Sequence, residues 1–150
     1  MQNLILLFLG LDGTRPCNNK FIAFKSEITL LGIILNENLS WHSQVLKVVS
    51  KCNLGLFYLR KLQHYVDTPT QVQLYYAFIH SHLSYSTSAW FSSYYTAYNP
   101  IYMVQNKALR IISNTKVPNS VSKYYKDYAI LTFYQLGLYR LFLVSARIIS

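Results

Sequence analysis

Acidic side chains are scarce in this 150-residue chain, which has five Asp and Glu against fourteen Lys and Arg. None of the five carboxylates pairs with another at helix or strand spacing, and no Asp-Asp doublet occurs. Two-metal phosphoryl transfer needs several acidic side chains around one centre. The five glycines stand singly and form no phosphate-binding loop. The sequence therefore predicts no self-sufficient active site, no cofactor and no small-molecule substrate for this chain.

Cysteine is also scarce, because Cys17 and Cys52 are alone and far apart in the sequence. Two cysteines make neither a disulfide framework nor a zinc site, which needs about four ligands. A reducing, intracellular setting is the simpler prediction, with no preference between cytoplasm and nucleus.

Long hydrophobic runs are missing. Residues 4–11, LILLFLGL, are too short for the ~20 apolar residues of a membrane span, and a secretory signal would need a basic start and a cleavage site. These residues are interpreted as a strand or a frayed start. The last apolar stretch carries Arg140 and Arg147, which favours a packed or surface helix. No transmembrane segment is predicted.

Apolar residues make up 52% of the chain and aromatic residues 16%, enough for one hydrophobic core. The formal net charge of +9 favours polyanionic partners, with nucleic acid first and acidic membrane second. A positive surface that only keeps the protein soluble is the alternative.

The periodicity predicts a mainly α fold, a helical bundle preceded by a short N-terminal β-hairpin. Residues 21–24 and 28–35 have strand patterns, and residues 25–27 are predicted to be the turn between them. The predicted organisation is a poorly defined segment at 1–20, the hairpin at 21–36 and a helical domain at 37–150.

The first predicted helix starts at an N-cap, Ser40, and runs to about residue 66. Its apolar residues fall within one arc of the helical wheel; they are Trp41, Val45, Val48, Cys52, Leu56, Leu59 and Val66. The opposite arc carries three lysines with Leu54 and Tyr58 among them; the lysines are Lys47, Lys51 and Lys61. This basic face is either solvated or a surface for a polyanion.

A second helix is predicted from Thr68, with Gln71 completing a capping box and Pro69 in the first turn. It contains the uncharged stretch YYAFIHSHLSYSTSAW. Two apolar faces predict a central helix packed on both sides; one face is Val72, Tyr76, Ile79, Leu83 and Trp90, and the other is Leu74, Phe78, Ser81, Tyr85 and Ala89. His80 and His82 lie about 200° apart on such a helix, so they are predicted to be core or rim residues that share no metal ion.

Three further helices are predicted, and the middle one is a short helix at residues 122–131. The first has Asn99 as its N-cap and points Lys107 and Arg110 outward. The terminal helix follows a capping box made by Thr132 and Gln135.

Five segments in order resemble the region after the palm in reverse transcriptases of jockey-type and related non-LTR (LINE-like) retrotransposons. They are LLGIILNENLSW (30–41), KCNLGLFYLRKLQHYVDT (51–68), LYYAFIHSHLSYSTSAW (74–90), VQNKALRIIS (104–113) and AILTFYQL (129–136). The resemblance runs from about Leu30 to about Leu141. The family usually has Asp at Asn36 and Gly at Ser86.

The resemblance implies a primer-grip hairpin followed by a thumb. In the parent polymerases a Phe/Tyr-x-Asp-Asp motif in the palm uses Mg²⁺, and this chain has no such motif. The chain is therefore predicted to be a fragment of an RNA-directed DNA polymerase that is inactive by itself.

A thumb of this family would contact the phosphates and sugars of a template–primer duplex without reading its bases. The residues that the resemblance and the charge pattern assign to this contact are Lys47, Lys51, Lys61, Gly32, Lys107 and Arg110. Gly32 would admit a primer backbone, or would mark a β-bulge. Gln105 joins Lys107 and Arg110 in a second contact line whose alternative is a solvated face.

Trp41, Tyr85 and Trp90 are predicted to lie in the core, although exposed aromatic rings could stack on bases. Three alternatives stay open: a standalone basic module that binds RNA or DNA, a protein- or membrane-surface module built on the terminal helix, and a decayed element that does not fold.

Overall fold

The computed structural model describes residues 26–85, 87–91, 95–115 and 121–149, and it is mainly helical after a short N-terminal β-hairpin, as predicted. The chain divides after Trp41 into a hairpin unit and a helical unit that starts at His42. The predicted strands at residues 4–11 and 21–24 lie outside the described residues.

The hairpin consists of β1 (Glu27–Leu30) and β2 (Ile33–Asn36), which pair antiparallel. Leu30 lies opposite Ile33, so the connecting loop is Leu31-Gly32. Both loop residues have positive φ, 48° and 81°, the pattern of a type I′ turn, which matches the twist of the strands. The hairpin turn therefore lies within residues 28–35, which were predicted to be one strand, and Glu27 belongs to β1 and not to a turn, while residue 25 lies outside the described residues. Because Leu31 is apolar, residues 28–35 have the pattern of one continuous strand, and that pattern does not indicate the turn.

Helix α1 (His42–Leu62) buries the predicted apolar arc of the helical unit. The buried members are Val45, Val48, Cys52, Leu56 and Leu59. The helix ends four residues before the predicted end, because residues 63–65 form a turn.

Ser40 is not the N-cap that was predicted, since α1 begins at His42. The Asn36 side chain holds Ser40 at the end of the hairpin instead. Its Nδ2 donates to the Ser40 hydroxyl at 2.6 Å, and its Oδ1 accepts from the Ser40 backbone N–H at 2.7 Å.

Helix α2 (Thr68–Tyr75) is capped by Asp67, not by Thr68. The Asp67 carboxylate accepts from the backbone N–H of Thr70 at 3.3 Å. The hydrogen bond from the Thr70 side chain, and to a smaller extent the one from its backbone N–H, lower the pKa of Asp67. A carboxylate at a helix N-terminus also interacts favourably with the helix dipole. The predicted capping box of Thr68 and Gln71 is wrong. The buried Gln71 amide donates instead to the carbonyls of Gln63 and Val66 at 3.1 and 3.2 Å.

The predicted second helix is interrupted twice. A π-helical turn, Tyr76–His80, follows α2 and leads into α3 (Ser81–Ser84). Tyr85 then adopts an extended backbone conformation before α4 (Thr87–Trp90). The prediction of two packed faces is wrong for the described residues. On the first predicted face Ile79, Leu83 and Trp90 are buried, but Val72 is only half-buried and Tyr76 is exposed. On the second face Leu74 is half-buried, and the other four residues are exposed: Phe78, Ser81, Tyr85 and Ala89. The buried Tyr75 belongs to neither predicted face.

After a 3₁₀ turn at Tyr95–Tyr98, the described chain continues as α5 (Asn99–Ile112), α6 (Ser122–Asp127) and α7 (Phe133–Ile149). Helix α5 begins at Asn99 itself, with Tyr98 at the N-cap position, so the predicted Asn99 cap is wrong.

The capping box before α7 is confirmed. Thr132 donates its backbone N–H to Gln135 Oε1 at 3.0 Å, and the Gln135 N–H donates to Thr132 Oγ1 at 3.3 Å. Together these bonds satisfy donors that the start of α7 would otherwise leave unpaired.

Gln105 connects α2, α5 and α7 in the core and has no exposed surface. Its Nε2 donates to the Tyr75 hydroxyl at 2.9 Å and to the Leu131 carbonyl at 3.2 Å, and its Oε1 accepts from the Phe133 N–H at 2.9 Å. The prediction that Gln105 contacts nucleic acid is therefore wrong, since a buried side chain with three partners is structural.

An aromatic cluster fills the core beside this network. Trp90 stacks on Phe133 with ring centroids 5.3 Å apart, and Tyr98 lies 5.0 Å from the same ring. Phe91 lies against the backbone of α7 at Gly137, where a Cβ atom would come within 2.3 Å of the Phe91 ring. Gly137 is therefore required for this approach.

No helix within the described ranges is both long and apolar enough to cross a membrane.

Candidate nucleic-acid interface

The first candidate surface is the outer face of α1, which we define as Lys47, Lys51, Leu54, Phe57, Tyr58 and Lys61. These residues recur at spacings of three and four, so they form one stripe along the helix. Lys51 and Lys61 are exposed and Lys47 is half-buried. The predicted lysine face is present, but it alternates with apolar side chains that are at least 40% exposed.

Aromatic rings on this face contact one another. The Phe57 and Tyr58 rings meet edge to face with centroids 5.7 Å apart, and the Phe78 ring lies 5.4 Å from Tyr58. The Lys61 ammonium lies 5.7 Å from the centroid of the Phe57 ring, within the range of a cation–π interaction.

The second candidate surface is a groove between the C-terminal ends of α1 and α5, here called the α1–α5 groove. Its lining is mostly polar and basic: Arg60, Gln63, His64, Lys107, Arg110, Ile111, Asn114 and Thr115. Among the described residues no carboxylate lines it. An anion in the groove would therefore meet cations without an acidic competitor.

Hydrogen bonds fix the shape of this groove. The Gln63 amide donates to the Ile111 carbonyl at 2.9 Å and to Asn114 Oδ1 at 3.1 Å, which ties the end of α1 to the end of α5. Asn114 has a positive φ of 51°, and the Thr115 N–H donates to the Arg110 carbonyl at 3.1 Å. A left-handed residue just after a helix is a common way to end it.

The groove keeps a net positive charge after the helix dipoles are counted. Arg60 and Arg110 stand in the last turns of α1 and α5. Each helix C-terminus is equivalent to roughly −0.5 charge, so two of them offset about one of the three permanent cations, which include Lys107. About two positive charges are left for a ligand.

The structure brings together only some of the predicted contact residues. Lys107 and Arg110 share the α1–α5 groove, while Lys47, Lys51 and Lys61 follow the outer face of α1. Gly32 belongs to the hairpin unit, where it is the second residue of the turn and not a β-bulge.

Sequence reasoning missed Arg60 and His64, which complete the groove. On the helical wheel Arg60 lies 100° from Lys61 and 40° from the buried Leu56, so it belongs to neither the lysine arc nor the apolar arc. Placing it in a groove required knowing that α1 packs beside α5, and periodicity along one helix does not say which helix it pairs with.

A second basic concavity lies between α3, α4 and α7. Its lining combines hydroxyl, apolar and guanidinium groups: Ser84, Thr87, Ser88, Arg140, Leu143, Val144 and Arg147. The Nε of Arg140 is buried and has no hydrogen-bond partner among the described residues. Burial, and next the charge of Arg140, lower the pKa of the half-buried His80.

The described residues include no group of three or more His, Cys, Asp or Glu side chains that could hold a metal ion. Cys52 is fully buried, its Sγ lies 3.9 Å from the Ile79 carbonyl, and burial raises the pKa of its thiol to about 12. Such a thiol stays protonated and is a poor nucleophile.

The outer face of α1, the α1–α5 groove and the concavity beside α7 all carry positive charge, the first together with exposed rings, and the described residues form no catalytic constellation. Comparisons with protein-family models, with curated proteins and with solved structures found no match to the chain.

Proposed function

We propose that this chain binds nucleic-acid duplex through the phosphate backbone at the α1–α5 groove, as the duplex-gripping part of a retrotransposon reverse transcriptase. The observation that carries the proposal is the convergence of Arg60, Lys107 and Arg110 from two helices around a groove without carboxylates. Backbone binding without base readout needs no more than correctly spaced cations on a rigid surface.

The resemblance of five ordered segments to the region after the palm supports the polymerase origin. Under this proposal the Mg²⁺-dependent chemistry belongs to a palm, and this chain only binds the duplex. The purified chain should therefore show no primer extension on a primed template with Mg²⁺ and all four dNTPs. Any extension above a no-enzyme control would overturn the assignment.

The test of the groove is the salt dependence of duplex binding. Each phosphate neutralised contributes about −0.9 to the slope of log K against log salt concentration. The Lys107→Gln and Arg110→Gln double variant should therefore make the slope shallower by about 1.8 and weaken binding at low salt. Fluorescence anisotropy with a labelled 20-base-pair duplex at four salt concentrations measures both quantities.

The matched control is the Lys123→Gln and Lys126→Gln double variant on α6. It removes the same net charge, and neither residue lines the groove. If the control flattens the slope as much as the groove variant does, binding follows net charge alone, and the groove has no special role.

A standalone host module would use the same groove, so binding data do not separate it from a polymerase fragment. Long-read sequencing of the transcript and flanking DNA does. An upstream frame that encodes an Asp-Asp palm motif supports the polymerase fragment. A transcript that starts at Met1 under its own promoter, with no palm nearby, supports the standalone module.

A second candidate function is binding to a membrane surface through α7. From Leu138 onward this helix exposes large apolar side chains beside its two arginines, namely Leu138, Tyr139, Leu141, Phe142, Val144 and Ile148. Apolar area combined with cations suits anionic lipid. Sedimentation with vesicles containing phosphatidylserine tests it: the Phe142→Glu variant should bind less than the native chain, and absence of binding by the native chain excludes it.

A further inference from the structure

We propose that the outer face of α1, with Phe78 beside it, binds the unpaired bases of a single-stranded nucleic acid by stacking. The inference rests on the proposed function, because it names a second nucleic-acid form recognised by the same helical unit. This interaction differs from phosphate binding in the α1–α5 groove, because stacking depends on aromatic rings and only weakly on charge.

The rings are positioned for contact with a ligand. The side chains of Phe57, Tyr58 and Phe78 are 54%, 40% and 37% exposed, although each ring lies within 6 Å of another. Aromatic side chains carry large apolar area whose burial is favourable. A cluster of three that stays on the surface is therefore available for an external partner.

The charges around the rings select the partner. Lys51 and Lys61 flank Leu54, Phe57 and Tyr58 along the helix. The sequences of α1, of the π-helical turn and of α3 contain no Asp or Glu that could neutralise Lys51 or Lys61. Burial, and next the charge of Lys51, lower the pKa of His82 on α3.

A partner for this surface must present flat apolar groups and negative charges at intervals of a few ångströms. An unpaired nucleic-acid strand does so, because every base has a π face and every nucleotide a phosphate. An apolar protein surface would match the rings but leave the lysines desolvated and unpaired, which is unfavourable. The stripe from Lys51 to Lys61 is about 15 Å long, enough for a short run of nucleotides.

The backbone beneath the rings is fixed where α1 meets the π-helical turn. A Cβ atom at Gly55 would lie 2.9 Å from Ile79 Cγ1 and 3.0 Å from the Phe78 carbonyl oxygen. This close approach brings Phe78 from one segment beside Tyr58 from the other. The platform is thus made by two crossing elements and does not depend on the conformation of one side chain.

The test replaces rings by leucine and keeps every charge. The triple variant Phe57→Leu, Tyr58→Leu and Phe78→Leu stays apolar, so a hydrophobic contact survives and stacking does not. Base–aromatic stacking contributes roughly 1–3 kcal/mol per base. We therefore expect at least about a tenfold loss of affinity for a labelled, mixed-sequence single-stranded 15-mer, with an unchanged salt slope.

The matched control replaces three exposed rings elsewhere, through Tyr65→Leu, Tyr139→Leu and Phe142→Leu, and should bind like the native chain. A second variant, Lys51→Gln with Lys61→Gln, should flatten the single-strand salt slope by about 1.4, at about 0.7 per phosphate. If circular dichroism shows that the triple variant has lost helix, Phe57→Leu alone, at the most exposed of the three rings, replaces it and should still lower the affinity.

The outcomes separate the two proposals. Native-like single-strand affinity in the ring variants overturns this inference, as does a loss of equal size in the control. If the ring variants bind normally while the Lys107 and Arg110 variant loses duplex binding, the proposed function stands and the inference fails. If the native chain binds neither nucleic-acid form, both fail.

Discussion

At the scale of single residues, Gln105 has a structural role that its sequence context concealed. It lies two positions before Lys107 in a polar, basic segment, yet it has no exposed surface. Its amide satisfies the Phe133 N–H at the start of α7 and the hydroxyl of the buried Tyr75. Periodicity places residue 105 near the inward arc of α5, but glutamine is usually exposed, and this preference led to the wrong prediction.

Gln105→Leu should lower the free energy of unfolding by about 2–4 kcal/mol, because it leaves the buried Phe133 N–H and the buried Tyr75 hydroxyl without their partner at about 1–3 kcal/mol each. Urea unfolding followed by circular dichroism measures the change. Gln73→Leu on the exposed side of α2 is the control and should stay within about 0.5 kcal/mol of the native chain. Equal losses in the two variants would show that the network contributes nothing specific.

The buried Cys52 thiol makes the free energy of unfolding depend on pH in the alkaline range. Burial raises the pKa of its thiol from 9.0 to about 12, so the folded chain keeps a proton that the unfolded chain releases. This contribution is complete below about pH 9 and is lost as the pH rises towards 12. Between pH 8 and pH 10.5 the Cys52→Ala variant should therefore lose less stability than the native chain does. Parallel pH profiles of the two proteins would contradict the assignment.

At the scale of elements, neighbouring segments of the helical unit approach each other closely at two glycines, Gly55 on α1 and Gly137 on α7. A Cβ atom at Gly137 would overlap the Phe91 ring, and Phe91 also stacks on Tyr98 with centroids 5.7 Å apart. The helix therefore includes a residue of low helix propensity because the ring occupies the space of a side chain.

Gly137→Ala should destabilise the chain by about 1–3 kcal/mol, typical of overpacking, despite the better helix propensity of alanine. In a Phe91→Ala background the same change should cost little or even stabilise, since the obstructing ring is absent. A double-mutant cycle from thermal unfolding measures this coupling. Additive effects would mean that the close approach does not limit the packing of α7.

The hairpin contains a residue poorly suited to its conformation. Leu31 has a φ of 48°, which is uncommon for a bulky side chain, and its side chain is exposed. Leu31→Asn gives the Asn-Gly pair that type I′ turns prefer. The variant should slow amide hydrogen exchange at β1 and β2 several-fold, while Leu31→Val, whose branched side chain disfavours positive φ, should speed it up.

Elements were more predictable than their ends. The apolar arc of α1 and the capping box of α7 follow from patterns within a few residues, and both are confirmed. The cap of α2 was misassigned because Asp67 and Thr68 both suit an N-cap, and only the geometry chooses between them. The π-helical turn at Tyr76–His80 has no local sequence signal, since it arises where the chain passes Gly55 of α1.

At the scale of the whole molecule, function depends on which helices become neighbours. The excess of basic residues is plain from composition, and it predicts a class of partner. The α1–α5 groove requires the ends of two helices that are far apart in sequence, held by Gln63. Single-helix periodicity predicted the outward direction of Lys107 and Arg110 on α5, but it does not say which residues of α1 lie beside them, which is why Arg60 was overlooked.

A groove that contacts only phosphates should not distinguish base sequences. Unlabelled duplexes of equal length with 30% and 70% G·C content should compete equally, within about twofold, for the labelled duplex. A preference of tenfold or more for one composition would show that base edges or duplex shape contribute. That result would require side chains in a groove of the duplex.

The burial of Trp90 has an optical consequence. Its indole has no exposed surface, donates to the Tyr85 carbonyl at 3.3 Å and stacks on Phe133. Trp41, the other tryptophan of the sequence, belongs to the hairpin unit and is partly exposed. In a Trp41→Phe background the tryptophan fluorescence, excited at wavelengths that tyrosine does not absorb, therefore comes from one residue at the contact of α4 with α7. Its emission should shift to longer wavelength only when that contact opens, so the helical unit carries its own fluorescent reporter.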